Sequence, residues 1–127
     1  MTATVLVVDD EPPLVEVIHE ILESRGYRVL ATSDSERALA MLDEDPSPIH
    51  LLLTDVVMPC RSGFEVAERV QHRWPEVQVI FMSGHSLETL PEDTLPPNAR
   101  VLVKPISLEA LLSAVSTALG PRALDAD

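Results

Sequence analysis

The chain has 127 residues, enough for one domain with a real core and too few for a second folded unit. Its net charge of −12, from 21 acids against 9 bases with no basic cluster, would repel a phosphate backbone and argues against direct nucleic-acid binding. The longest apolar stretches fall well short of the ~18 residues of a bilayer span, and a single cysteine, Cys60, excludes an internal disulfide.

Met1-Thr2-Ala3-Thr4 leads straight into a strand-like run at residues 5–8 without a signal peptide, so a cytoplasmic protein is expected, either stand-alone or the N-terminal domain of a longer one. Pro12 and Pro13 suit a first helical turn, and Leu14, Ile18, Ile21 and Leu22 then recur at helical spacing up to a stop at Gly26. A weaker β-type run covers residues 27–31. Ser33 and Glu36 have capping-box spacing ahead of a helix carrying Leu39 and Leu42. Residues 51–53 form a second apolar run, followed by Ser62 and Glu65 as another capping pair for a helix with Phe64, Ala67 and Val70. A third apolar run spans residues 77–82. Residues 87–98 hold Leu87, Leu90 and Leu95 but also Pro91, Pro96 and Pro97, which predicts one short or irregular helix and then a loop. Residues 101–103 make the last strand. Leu108, Leu111, Leu112, Val115 and Leu119 make the last helix, ended by Gly120.

Five short apolar runs alternating with helices predict an α/β domain: a doubly wound, five-stranded parallel sheet with helices on both faces, joined by right-handed crossovers. Residues 1–120 form this domain, and the acidic stretch 121–127 reads as a frayed tail.

The chemistry sits where the apolar runs stop. Asp9 and Asp10 follow the first run, Asp55 follows the run at 51–53, Ser83 and Gly84 follow the third, and Lys104 and Pro105 follow the last. In an open parallel sheet the ligand crevice lies beyond the carboxyl ends of the strands, so these side chains converge. Acids ahead of Pro12 also suit simple helix capping, but no helix start explains Asp55, which is followed by Val56-Val57-Met58-Pro59. Three crowded carboxylates raise one another's pKa unless a cation intervenes. Magnesium, which prefers carboxylate, water and phosphoryl oxygens, is the natural candidate. A carboxylate attacks a phosphoryl centre when the charge on the equatorial oxygens is neutralised, a task for the cation and Lys104. Asp55 stands alone and is the better nucleophile; Asp9 and Asp10 look like the cation cradle.

The ordered set of Asp9-Asp10, Asp55 with Pro59 and Gly63 after it, Ser83-Gly84 and Lys104-Pro105 resembles the receiver domain of two-component response regulators, over essentially the whole chain. The resemblance implies a flavodoxin-like receiver fold and a role in phosphorelay signalling rather than as an enzyme, although a receiver assists its own phosphorylation and dephosphorylation. It implies that Asp55 accepts a phosphoryl group from a histidine kinase or histidine phosphotransfer protein, and that Mg2+ is bound by Asp10, Asp55 and the backbone carbonyl of Val57, with Asp9 acting through water. Ser83 and Lys104 would bind phosphoryl oxygens, the Lys104–Pro105 bond would be cis, and a downstream protein would read the switch. Two positions stand apart: Val101 occupies the place where receivers commonly carry an aromatic switch residue, and His85 lies at the expected rim, where it would influence water access.

Two other readings weigh less. An aspartyl-phosphate hydrolase of the haloacid dehalogenase type needs a second acid two residues after the nucleophile, where this chain has Val57. A degenerate, partner-binding receiver would not need the complete set of acids, hydroxyl and lysine. Cys60 reads as an inert loop thiol, and His19-Glu20 is no metalloprotease motif because Glu23 stands where a second histidine is required.

Overall fold

The computed structural model describes residues 3–44, 47–84 and 99–120. In chain order it contains β1 (Thr4–Val8), α1 (Pro12–Ser24), β2 (Arg28–Thr32), α2 (Ser35–Glu44), β3 (Leu51–Asp55), α3 (Gly63–Arg73), β4 (Gln78–Ser83), β5 (Ala99–Val103) and α4 (Leu108–Leu119). The strands form one parallel sheet in the order β2-β1-β3-β4-β5. The expected doubly wound sheet is therefore present; the helical segment expected within 87–98 lies outside the described residues, as does the tail at 121–127.

Strand side chains alternate between faces, and the sheet divides its apolar residues accordingly. Val5 and Val7 of β1, Leu51 and Leu53 of β3, and Ile80 and Met82 of β4 pack with Ile18 and Leu22 of α1 and Leu111 and Val115 of α4. Leu6 and Val8, Leu52, and Val79 and Phe81 face the other way, onto Ala38 and Leu42 of α2 and Val66, Ala67 and Val70 of α3. On this second face Phe64 and Phe81 meet with ring centroids 4.9 Å apart at 59°, a tilted geometry that suits the ring quadrupoles. The expectation of strands buried on both faces holds for β1, β3 and β4. It fails for β5, an outer strand with no fully buried residue, whose Val103 is 53% exposed.

Helix starts follow local chemistry. Pro12 opens α1 after Glu11, whose side chain makes no capping bond. Ser62 and Glu65 form the expected reciprocal capping box of α3. The expected Ser33–Glu36 box does not form. The Asp34 carboxylate accepts from Glu36 N at 2.9 Å and the Asp34 carbonyl accepts from Ala38 N, so the turn is made by the aspartate and α2 begins at Ser35.

Between β1 and β3 the chain order reverses direction across the sheet. This switch point opens a crevice at the carboxyl ends of the strands, and the pairing of Val8 with Thr54 brings the residues that follow, Asp9 and Asp55, to the same level.

Candidate functional site

Asp9, one residue past β1, is fully buried; Asp55, the last residue of β3, is 7% exposed; Asp10 is exposed. One carboxylate oxygen from each lies within 4.8 Å of the others. Asp9 Oδ1 accepts from Glu11 N at 2.9 Å, which fixes the turn after β1. Thr54 Oγ donates to the Asp55 carbonyl at 3.0 Å, and Val56 N donates to Met82 O at 3.1 Å, tying the phosphoacceptor candidate's strand end to β4.

Gly63 explains itself at this point. A Cβ there would stand 2.0 Å from the Asp55 carbonyl oxygen, and Gly63 N donates to Val56 O at 2.8 Å, so the helix following the loop packs directly on the backbone that carries Asp55.

Lys104, just past β5, reaches back across the crevice as expected. Its Nζ lies 2.9 Å from Asp9 Oδ2, 3.2 Å from Asp55 Oδ2 and 3.6 Å from Glu11 Oε1. Burial pulls the ammonium's pKa down, but the bonds and charges of Asp9 and Asp55 outweigh it, and the pKa lies above the ordinary lysine value. The Asp55 pKa is raised as well, which for a carboxylate disfavours the charged form. Burial first, then the Asp9 charge, push it up to about 6 against the opposing pull of Lys104. Three acids thus share a single ammonium in the crevice.

Ser83 ends β4 beside Val103 of β5 and is buried; its carbonyl accepts from Lys104 N at 2.7 Å, which places the hydroxyl residue and the lysine on neighbouring strand ends. The Lys104–Pro105 bond is cis, as the resemblance implies. Gly84 and Pro105 are exposed, and Val57 is 71% exposed. Val101 is half-buried against the α2–α3 face. His85 lies outside the described residues.

The donor set fits a hard divalent cation. All the side-chain donors are oxygens, and among the described residues the buried Asp9 Oδ2 has no polar partner but the Lys104 ammonium at 2.9 Å. Such an acceptor favours a cation or its bound water.

Two contributors escape a reading of the sequence. Glu11 looks like a helix cap but supplies a third carboxylate to Lys104. Ser35, remote in sequence, places its buried hydroxyl against the loop after Asp55; no local signal announces it.

The sequence matches the response regulator receiver domain family over residues 5–116. The chain belongs to this receiver family. It is 32% identical over 116 residues to the response regulator receiver protein CpdR of Brucella abortus, covering 91% of this chain and 95% of that protein. It is also 32% identical over 120 residues to the sensor kinase CckA of the same organism, but spans 13% of that much longer protein. Among solved structures, the response regulator TrrA from Thermotoga maritima in complex with Mg2+ and BeF superposes with a TM-score of 0.75 at 26% identity, over 92% of this chain and 99% of that one. A receiver domain is a signalling module of two-component systems, not a conventional enzyme, and the hydrolase reading is set aside. No helix among the described residues is long and apolar enough to cross a membrane.

Proposed function

We propose that this receiver takes a phosphoryl group on Asp55 from a phosphohistidine of a histidine kinase or phosphotransfer protein, in the cytoplasm, and changes its affinity for a downstream protein. The observation that carries the reading is the convergence of Asp9, Asp10 and Asp55 within 4.8 Å with Lys104 Nζ 3.2 Å from Asp55 Oδ2.

An Asp55 carboxylate oxygen attacks phosphorus, the P–N bond breaks, and imidazole leaves, so the product is an acyl phosphate. With a pKa of about 6, Asp55 is about nine-tenths ionised at pH 7 and yet more basic than an ordinary carboxylate. Lys104 offers its charge to one phosphoryl oxygen, and Ser83 its hydroxyl to another, as negative charge spreads over the equatorial oxygens. Asp10, Asp55 and the Val57 carbonyl would hold Mg2+, with Asp9 acting through water. Bound there, the cation neutralises charge on the acids and on the incoming group. TrrA's complex with Mg2+ and BeF supports this assignment by similarity.

Phosphorylation removes a negative charge from the carboxylate and places a dianion beside Lys104, which then exchanges its contact with Asp55 for a phosphoryl oxygen. That exchange, with Ser83 on β4 and Gly84 and Pro105 at the rim, is the differential contact that drives the switch. Hydrolysis of the acyl phosphate, assisted by the same groups, resets it. The test uses beryllium fluoride with Mg2+ and 19F NMR. A bound resonance that needs Mg2+ and disappears in Asp55→Asn is expected; a bound resonance that persists in Asp55→Asn places the phosphoryl site elsewhere.

A further inference from the structure

The loop between Asp55 and α3 contains a turn that the chain's own residues do not favour. Cys60 has φ 73°, and Arg61 N donates to Pro59 O at 2.8 Å, which together make a positive-φ γ-turn, a rare and strained arrangement for a residue with a Cβ. Ser35, 2% exposed at the first position of α2, sits across this turn. Its hydroxyl donates to Pro59 O at 3.0 Å and accepts from Arg61 N at 3.2 Å, so one side chain bridges both ends of the turn. Serine at a helix start ordinarily serves its own helix. Here Asp34 makes that turn, and the Ser35 hydroxyl is committed to the loop.

We propose that Ser35 is a positioning residue for the metal: its buried hydroxyl locks the turn at Cys60 and thereby fixes the backbone of Val57. The inference rests on the phosphoacceptor reading, which assigns the Val57 carbonyl as a ligand. The Val56 backbone is held on both sides, N to Met82 O at 3.1 Å and O from Gly63 N at 2.8 Å. The next anchor along the chain is the bridge from Ser35 to Pro59, so just Val57 and Met58 lie between fixed points. Among the described residues this loop is also tied to α2 and α3 by the exposed Arg61 guanidinium pairs with Glu36 at 3.0 Å and Glu65 at 3.2 Å, by the Ser62–Glu65 capping box at its far end and by Met58 packed against the α2–α3 core. Exposed pairs hold geometry weakly, and the capping box acts beyond the turn; the buried Ser35 hydroxyl is the tie that spans the turn itself, from Pro59 O to Arg61 N. The same α2 entrance also touches the acid side of the crevice. Asp9 N donates to Thr32 O at 3.4 Å and Asp34 N to Thr32 Oγ at 3.1 Å, so the segment from Thr32 to Ser35 spans the two loops that carry the metal donors.

Removal of an outer partner of a metal donor weakens metal affinity by roughly tenfold or more. The test is Mn2+ binding, read as loss of the free-ion EPR signal and checked by competition with Mg2+, alongside thermal melting. Ser35→Ala is expected to bind Mn2+ about tenfold more weakly than wild type. Ser35→Cys, which fills the same space with a weak donor and acceptor, carries the same expectation and keeps the test valid if the alanine variant folds poorly. Adding Cys60→Gly to Ser35→Ala is expected to recover part of the loss, because glycine takes positive φ without strain. Variants that melt lower yet bind Mn2+ as tightly as wild type would reduce Ser35 to a packing role and overturn the proposal alone. A wild type that binds no Mn2+ displaceable by Mg2+ would overturn the metal assignment itself and the inference with it.

Discussion

Asp55→Asn is expected to make the metal-free protein more stable at neutral pH, because the wild-type carboxylate is ionised at a cost to the fold. Its pKa rises from 3.8 to about 6 on folding, chiefly through burial and then the Asp9 charge. An acid with a raised folded pKa favours the folded state fully below its unfolded pKa, and that contribution is lost as pH rises through the folded value. The difference corresponds to about 3 kcal/mol at pH 8, and the nearly buried side chain leaves little solvent to screen it. Replacing the carboxylate by an uncharged amide of the same shape removes this cost. For a domain of this size, about 3 kcal/mol becomes a rise in Tm of roughly 10 °C. Thermal denaturation by circular dichroism, wild type against Asp55→Asn at pH 8, 6 and 4 in the presence of a chelator, measures it. The gain should be largest at pH 8, about halved near pH 5 and about a fifth of its full size at pH 4. Millimolar Mg2+ should stabilise wild type more than the variant. A gain that stays constant across this range, or no gain at pH 8, would refute the argument that Asp55 is held ionised against its environment.

Gly63→Ala should lower stability by at least about 2 kcal/mol and impair phosphorylation together, since its Cβ would collide with the Asp55 carbonyl oxygen; chemical denaturation and adduct yield check both. Lys104→Met keeps the side-chain stem but strips the cation from fully buried Asp9 and from Asp55. It should destabilise the metal-free protein by about 3 kcal/mol, with Mg2+ restoring much of the loss in a melting experiment. Ser62→Ala removes the α3 cap and should cost about 1 kcal/mol in urea denaturation, leaving the metal affinity close to wild type because the Ser35 bridge remains.

The central strands were legible because β1, β3 and β4 are buried on both faces and so read as unbroken apolar runs. β2 and β5, at the edges, need no such continuity, and their patterns were correspondingly weaker. The four strand-end fragments were legible for a similar reason: a charge directly after a buried run has no role in the core. The start of α2 was misplaced because Ser33 and Asp34 are both good caps, and the spacing of Ser33 to Glu36 does not reveal that the Asp34 carboxylate reaches Glu36 N first. Ser35 and Glu11 were invisible for a different reason. Their partners lie 24 to 26 residues away on the loop after β3, or far down the chain at Lys104, and periodicity carries no information about such contacts.

Intact-protein mass spectrometry after incubation with a small acyl-phosphate donor tests the central claim most directly. One phosphoryl adduct is expected on wild type with Mg2+, none without the metal, and none on Asp55→Asn. An adduct that survives the Asp55→Asn substitution, or a wild type that acquires none and also fails to bind beryllium fluoride, would contradict the assignment of Asp55 as the phosphoacceptor.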